Sequence, residues 1–578
     1  MSNFYTDNPD LHATLRRLDL APVVRLREDD YEQAQAFPYA PRDYEDALDS
    51  YGRALEIVGE IAGEFVEPRA EGVDRAGSLL VDGEVCYAPG ISEALERLRQ
   101  ADLMGITLPR QYGGLNFPVT VSVMIVEMVS RADPALMNIF GLQDIAETVN
   151  KFASDEIKKA YLPRFASGEV TGSMALTEPE AGSDLQNVQL KATLMDDGTW
   201  RLNGVKRFIT NGCGRLSLVL ARSEDGTTDA RGLSMFLYER DEHMRIRRLE
   251  DKLGIHGSPT CELQFDDAPA LLVGERRRGL TTYVMSLMNG ARLAIAAQAQ
   301  GIAEAAYRAA TKYSRERIQF GAPIGDLTAV RAMLADMKVG IEAARALLYE
   351  TALIVDTKES LEHRLEQIAR GDASADDATI KAMRTDLKHH TRLAALFTPM
   401  AKACCTEMAN TVAYESLQIH GGSGYMRDFA VERHTRDARI TNIYEGTTQL
   451  QVVAAIGGIL GGTLSARLDE YDAEDLGATP ELLERVRHMR TRLLEAIVKV
   501  RELDDVRFRD FHARRLVEMA IDIASSYLIL RTAQDDARKL LVARYFIDGA
   551  QMRTEAATTR ILRDDPAALD ALAQLGAP

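Results

Sequence analysis

The spacing of apolar residues switches from a helical to a strand period and back again, and that switch limits the fold more than any other property of the chain. From Tyr44 to about Phe165 the period is helical, as in Ala47, Leu48, Tyr51, Leu55 and Val58 and again in Ile91, Leu95, Leu98 and Leu103. Between about Ser173 and Val284 it becomes short alternating runs, such as Trp200-Arg201-Leu202 and Ser217-Leu218-Val219-Leu220, broken by Asp196-Asp197-Gly198 and Asn203-Gly204. An Asn-Gly pair between strand-like runs predicts a hairpin. From Gly290 the helical period returns through Ala294, Ala297, Gly301 and Ala305, small residues that let helices approach closely in a bundle.

Ahead of the first helices lies a segment punctuated by Pro9, Pro22, Pro38 and Pro41, read as an arm that wraps a surface. The charged stretch from Val355 to Thr391, with Gly371-Asp372-Ala373-Ser374 inside it, reads as an exposed helix, a turn and another helix. After about Thr463 the chain is again helical, with helices expected over Leu482–Val500 and Leu516–Tyr545. The expected fold class is therefore mainly α with a central β-domain. The expected domains are an arm over 1–43, a helical domain over 44–172, the β-domain over 173–285, a helical bundle over 286–462 and an additional helical domain over 463–578.

Composition excludes several functions. At 578 residues, with 46% hydrophobic and 27% charged residues, the chain has enough apolar material for a large core and several domains. A formal charge of −18 disfavours nucleic acid and anionic lipid as partners. The segment from 463 onward carries 18 Lys/Arg against 21 Asp/Glu and offers no basic face to DNA. The start is polar and no apolar run reaches the roughly 20 residues of a bilayer span, so a cytoplasmic protein without a membrane span is expected. Five cysteines, Cys86, Cys213, Cys261, Cys404 and Cys405, are too few and too irregular for a disulfide framework or a zinc site, and no metal is expected.

Two segments carry the chemistry. Met174-Ala175-Leu176-Thr177-Glu178-Pro179-Glu180-Ala181-Gly182-Ser183-Asp184 supplies hydroxyls, backbone N–H groups and a glycine that admits close approach. Ile443-Tyr444-Glu445-Gly446-Thr447-Thr448-Gln449 supplies one carboxylate in an apolar, glycine-hinged setting. These two, with Lys206-Arg207-Phe208-Ile209-Thr210-Asn211-Gly212 and with Arg315–Gly321 paired to Gln418–Tyr425, occur in the order found in the acyl-CoA dehydrogenase family, which the chain resembles from roughly Tyr44 to Gly462. The order of elements also resembles that family's: a helical domain, a small β-barrel or sandwich, then a helical bundle. The charged stretch and the added C-terminal helices resemble its longer bacterial members.

The resemblance implies FAD as cofactor. It places Met174, Leu176, Thr177, Gly182, Ser183, Phe208, Ile209 and Thr210 against the flavin, with Phe208 standing where the family more often has Trp. It implies that Arg317, Phe320, Gln418, Gly421 and Gly422 reach the FAD of a neighbouring subunit, and that Thr447 and Gln449 complete the cofactor set. The guanidinium of Arg317 suits a pyrophosphate because its planar fork donates parallel hydrogen bonds. Ser183, Asn289, Arg292, Tyr444 and Gly446 are implied to meet the acyl-CoA. His420 reads as structural. One departure is Asn187, where the family usually has a small residue.

The implied base is Glu445, in a Tyr-Glu-Gly-Thr match. The alternative family position, before Arg292-Leu293, holds Ala291, which cannot take a proton. A carbon beside a thioester carbonyl is a very weak acid. Its base must sit within hydrogen-bond reach, and the enolate-like transition state needs donors to the carbonyl oxygen. Apolar neighbours such as Ile443 would desolvate Glu445 and raise its pKa. The implied reaction is α,β-dehydrogenation of an acyl-CoA to the trans-2-enoyl-CoA, with hydride passing to flavin N5. Electrons then pass to an electron-transferring flavoprotein, as in β-oxidation, and a homodimer is favoured over a tetramer. An acyl-CoA oxidase on the same fold is the alternative, and a DNA-associated flavoprotein a more distant one. Gln143, Asp144 and Glu147, in a stretch the family keeps apolar, either face solvent or line the acyl tunnel, where they would favour a short or polar acyl group.

Overall fold

The structure is a computed structural model that describes residues 2–476, 480–534 and 536–576, with no side-chain description at 568 and 572–574. The chain divides into two compact units, Met1–Ala305 with Glu432–Ile440, and Ala306–Val431 with Thr441–Pro578.

In the first unit the proline-rich start contains two short helices. Pro9 and Pro22 stand in the first turns of helices Pro9–Arg17 and Ala21–Arg27, where a missing N–H costs nothing. Two ion pairs hold this segment down. Arg110 donates to the buried Glu28 carboxylate at 2.5 and 3.0 Å, and Arg131 donates to Asp7 at 2.6 and 2.7 Å. Helix Tyr44–Glu60, capped by Asp43, packs on helix Val119–Ala132, which is buried along nearly its whole length, its polar residues Thr120, Ser122, Glu127, Ser130 and Arg131 included.

The β-domain is a closed barrel. Strand Leu216–Arg222 pairs antiparallel with Leu233–Glu239, which pairs with Thr260–Val273, then Trp200–Thr210, then Lys191–Leu194, and that last strand meets Arg222 to close the ring. Gly172–Ala175 joins parallel to the start of Leu216–Arg222. Both faces of that central strand are covered. Val219 and Ala221 point into the barrel with Trp200, Phe236 and Phe265, while Leu216, Leu218 and Leu220 face a second core containing Leu142, Val149, Leu162 and Phe165. A continuous apolar run, rather than strict alternation, is what a strand covered on both faces requires.

The hairpin turn lies one step earlier than expected. It falls at Asp197-Gly198, between Lys191–Leu194 and Trp200–Thr210, whereas Asn203-Gly204 sits within the longer strand at a register shift. Gly204, at φ +141°, passes 3.0 Å from the Leu190 backbone measured from where a Cβ would stand, so a side chain there would be strained and would crowd Leu190. The pair makes a bulge instead of a turn.

In the second unit, helices Thr328–Arg370 and Asp377–His420 run as a long pair joined at Gly371 (φ +86°) and capped by Asp376, as the charged stretch suggests. One hydrophobic core joins Leu347 and Ile354, Leu396, Phe397 and Met400, Val452 and Ile459 with Leu482, Met489, Leu516, Ile523, Tyr527 and Ile547. The helix expected over Leu516–Tyr545 is two, Val506–Thr532 and Ala537–Arg563, because Asp536 caps the second through the N–H groups of Arg538 and Lys539. Among the described residues no single helix is long and apolar enough to cross a membrane. The bent pair Thr448–Leu460 and Thr463–Asp472 passes such a test only together, and its Val452, Ala455, Ile456, Ile459, Leu464 and Leu468 lie in the core.

Candidate active site

In the first unit a buried ion pair fixes the loop Met174–Asp184. Lys206, fully buried on strand Trp200–Thr210, donates from Nζ to the Leu176 carbonyl at 2.7 Å and to Glu178 Oε1 at 2.8 Å. The Glu178 carboxylate also accepts the N–H groups of Gln189 and Leu190 at 2.7 and 2.9 Å. Burial pushes the Lys206 ammonium down to about 8, partly offset by Glu178. Glu178 and Ala181 exchange backbone hydrogen bonds across Pro179-Glu180 and make a rigid turn. Gly182, Ser183 and Asp184 then stand exposed at its end, with open space where a Gly182 Cβ would be.

Beside this loop the strand bulges. The Arg207 N–H donates to the Thr177 carbonyl at 3.0 Å, and the register shift between Lys206 and Ile209 puts Phe208 at φ +62° and 51% exposed, with the Arg207 guanidinium 4.6 Å from its ring centre. Ile209 turns into the barrel core, so only its backbone faces the surface side; Thr210 and Met174 are half-buried and Leu176 is buried. Asn211, buried at φ +52°, accepts from Tyr87 Oη at 2.5 Å and donates to the Gly172 carbonyl at 2.8 Å, tying the end of the bulged strand to the start of the loop's strand. On helix Met285–Glu316, buried Arg292 donates to Oδ1 of exposed Asn289 at 3.2 Å.

Gln143 does not face solvent. It is buried, with Nε2 donating to the carbonyls of Phe165 and Val170 at 3.2 and 3.1 Å, while its Oε1 has no partner among the described residues. Glu147 is half-buried and accepts from Thr107 Oγ1 at 2.6 Å, and Asp144 is half-buried.

The second unit holds the carboxylate loop. Tyr444, Glu445, Gly446 and Thr447 are half-buried and Gln449 is exposed. Glu445 has φ +52° and Gly446 φ +90°, consecutive left-handed residues of which only the second is free of strain. The side chain of Thr447 caps helix Thr448–Leu460. From helix Asp377–His420, Lys402 Nζ donates to the Tyr444 and Gly446 carbonyls at 3.0 and 2.6 Å, and Glu407 accepts from Thr448 Oγ1 at 2.5 Å and Asn442 Nδ2 at 3.3 Å. Buried Gln451 donates to the Glu445 and Gly446 carbonyls at 3.3 and 2.8 Å. A side chain at 446 would meet that amide at 2.7 Å.

Elsewhere in the same unit, Phe320-Gly321 forms a two-residue turn, both residues at positive φ, between Ile318–Gln319 and Ala322–Pro323. Phe320 is 92% exposed, and Arg317, Gln418, Gly421 and Gly422 are also exposed. His420 is buried, stacks on Tyr313 at 4.2 Å and bonds the Ser416 carbonyl through Nδ1. Sequence reasoning missed Lys402, Gln451, Lys206 and Asn211 as organisers of these loops. A signal existed for Lys402 alone, the single charge between Arg392 and Glu407.

Family models match nearly the whole chain: the acyl-CoA dehydrogenase N-terminal domain over 54–169, the middle domain over 173–268, the C-terminal domain over 278–369 and 358–456, and a further acyl-CoA dehydrogenase C-terminal model over 461–560. These family matches identify an oxidoreductase acting on acyl-CoA. The chain is 33% identical over 482 residues to 3-methylmercaptopropionyl-CoA dehydrogenase of Ruegeria pomeroyi, covering 78% of each chain. Among solved structures it is similar to acyl-CoA dehydrogenase complexed with FAD from Bacillus anthracis, with 25% identity, TM-score 0.72, 91% of this chain and 90% of that one covered. It is also similar to a chain in the structure described as electron transferring flavoprotein of Acidaminococcus fermentans, with 32% identity, TM-score 0.61, 71% of this chain and 98% of that one covered. The chain belongs to the acyl-CoA dehydrogenase family, and its cofactor is FAD. The residues fit that group: a flat, exposed Phe208 stands next to a glycine-and-serine loop whose Gly182 leaves room for a ligand.

Proposed function

We propose that the protein removes the α-proton and β-hydride of an acyl-CoA thioester to give the trans-2-enoyl-CoA, with Glu445 as the base. The observation that carries this reading is the state of the Tyr444–Thr447 loop, where a strained glutamate is bracketed by carbonyls fixed from two helices. Such strain persists only where the surroundings over-determine it, which suits a side chain whose position must not drift. Glu445 accepts the proton from the carbon next to the thioester carbonyl, and its own N–H serves as a donor to the carbonyl oxygen as negative charge develops there.

When bound, the flavin supplies the two-electron acceptor for the hydride. In this reading Met174, Leu176, Thr177, Gly182, Ser183, Phe208, Ile209 and Thr210 hold its ring system, with Ile209 acting through the backbone, and Thr447 and Gln449 belong to the same set. Ser183, Asn289, Arg292, Tyr444 and Gly446 meet the acyl-CoA. Arg317, Phe320, Gln418, Gly421 and Gly422 reach the cofactor of a second subunit; a 92%-exposed phenylalanine on a strained turn supports a homodimer, because it calls for a cover. Electrons pass to an electron-transferring flavoprotein, a reading supported by the Acidaminococcus fermentans neighbour. A short or polar acyl group is the proposed substrate class, on the name of the Ruegeria pomeroyi relative.

Anaerobic titration with straight, branched, dicarboxylic and thioether acyl-CoAs tests this. The best substrate bleaches the flavin of the native protein. Glu445→Gln retains flavin and binds that substrate, yet its reduction slows by about 10²- to 10⁴-fold or more. Full-rate bleaching by the Gln variant would remove Glu445 from the reaction.

A further inference from the structure

We infer that Lys402 is a positioning residue for the dehydrogenation, holding Glu445 in register and strengthening its backbone N–H as a donor. The inference rests on the reading of Glu445 as the base. Lys402 is fully buried, and the stretch around it, from Leu393 to Thr406, is otherwise uncharged. Burying an ammonium is costly unless polar groups surround it, so a residue needed only to fill this space would be Leu or Met. Instead Nζ is spanned by two carbonyls, those of Tyr444 and Gly446, on either side of Glu445.

That placement has two consequences. The first is conformational. Glu445 and Gly446 are both left-handed, and a left-handed glutamate is strained, a strain that relaxation of the loop would release. Both flanking carbonyls must turn toward one point for a single ammonium to bind them, and the turn this imposes is the one observed. Gln451 repeats the restraint from helix Thr448–Leu460 by holding the Glu445 and Gly446 carbonyls. The second is electrostatic. A trans peptide is planar, with its N–H opposite its carbonyl, and the chain has no cis bonds. With the Tyr444 carbonyl aimed at Lys402, the N–H of the same peptide, which belongs to Glu445, points the other way. A positive charge on the carbonyl polarises that peptide and makes its N–H a stronger donor. The same charge favours the ionised form of a neighbouring carboxylate, the form that accepts a proton.

The test uses flavin-loaded full-length protein with Lys402→Met, Lys402→Gln and Lys402→Arg. Flavin content and melting temperature establish folding. Methionine removes both donor and charge, and kcat should fall on the order of 10²-fold, as for loss of an oxyanion donor, while KM changes by less than about threefold. The acidic limb of the kcat profile should move to higher pH, and Lys402→Arg should recover part of both effects. Proton transfer is followed separately by exchange into deuterated water of the α-hydrogens of an acyl-CoA with sulfur at position 3, which has no β-hydride to lose. Exchange should slow in step with kcat. Folded Lys402→Met with kcat within threefold of native and an unmoved pH profile would overturn the inference. Should methionine prevent folding, Lys402→Gln, which keeps a donor without charge, decides the question, since native rate and profile there would equally overturn it. Glu445→Gln is run alongside: unimpaired exchange in that variant would defeat the reading of Glu445 itself, whatever Lys402 does.

Discussion

A single side chain on helix Val506–Thr532 shows how burial is converted into pH sensitivity. His512 is fully buried against the rings of Phe508 and Phe511, at 4.4 and 4.8 Å between centres, and neither ring nitrogen has a hydrogen-bond partner among the described residues. Burial, reinforced by Arg515, pushes its pKa down to about 4, against an ordinary 6.5. The unfolded chain therefore takes up a proton as pH falls through about 6.5, whereas the folded chain resists until about 4. Stability from this group is complete above about 6.5 and lost progressively down to about 4. Urea midpoints at pH 7.5 and pH 5 should show a smaller acid loss for His512→Phe than for the native protein. Equal losses in the two proteins would mean that His512 titrates in the folded state as it does in water.

At the scale of elements, helix Thr328–Arg370 holds the C-terminal helices through buried carboxylates. Glu350, 2% exposed, accepts from Arg467 Nη2 at 2.5 Å, Tyr471 Oη at 2.8 Å and Arg531 Nη1 at 2.8 Å. Burial would raise its pKa, but Arg531 and Arg467 outweigh burial and hold the carboxyl below its ordinary range. Two turns earlier, Glu342 receives Arg538 and Lys539 at 2.7 Å each. A network of this kind adds little over an apolar core of equal volume, but removing the shared carboxylate leaves like charges facing each other. Glu350→Ala is expected to cost about 1–3 kcal/mol in urea unfolding, since Arg467 and Arg531 lose their shared partner but keep Glu470 and Glu474. A change under about 1 kcal/mol would show that water or side-chain movement satisfies both guanidinium groups.

For the molecule as a whole, the helices after Gly462 share one core with the long pair before it. Leu393, Leu396, Phe397 and Met400 are covered by a cluster that includes Leu482, Met489, Leu516 and Ile523, so the last hundred or so residues are not an appendage. A chain ending at Gly462 uncovers that surface and is expected to be insoluble or to lose its cooperative melt. Expression and calorimetry check this, and a soluble, flavin-loaded, cooperatively melting 1–462 would contradict it. An exposed apolar face of this extent is seldom tolerated in a monomer.

The order of helices, β-domain and helices was determined by sequence alone, because hydrophobic period is a local property that survives without knowledge of neighbours, whereas closure of the β-domain into a barrel was not. So were the loops worth watching, since glycine, hydroxyl and carboxylate content is likewise written in a few adjacent residues. Tertiary structure alone decided what those loops rest on. Lys402 meets carbonyls 42 and 44 residues away, and Lys206 meets Glu178 across 28. It also decided that Asn203-Gly204 bulges where Asp197-Gly198 turns, with Leu190 packed close against the strained backbone at 204. Gln143 buried instead of solvated belongs to the same class, whereas the Asp536 cap on Arg538 and Lys539 is a local signal that lay within the sequence. For Lys402, Lys206, Gly204 and Gln143 the outcome depends on which distant group comes within contact or hydrogen-bond range, a quantity that no window of neighbouring residues contains.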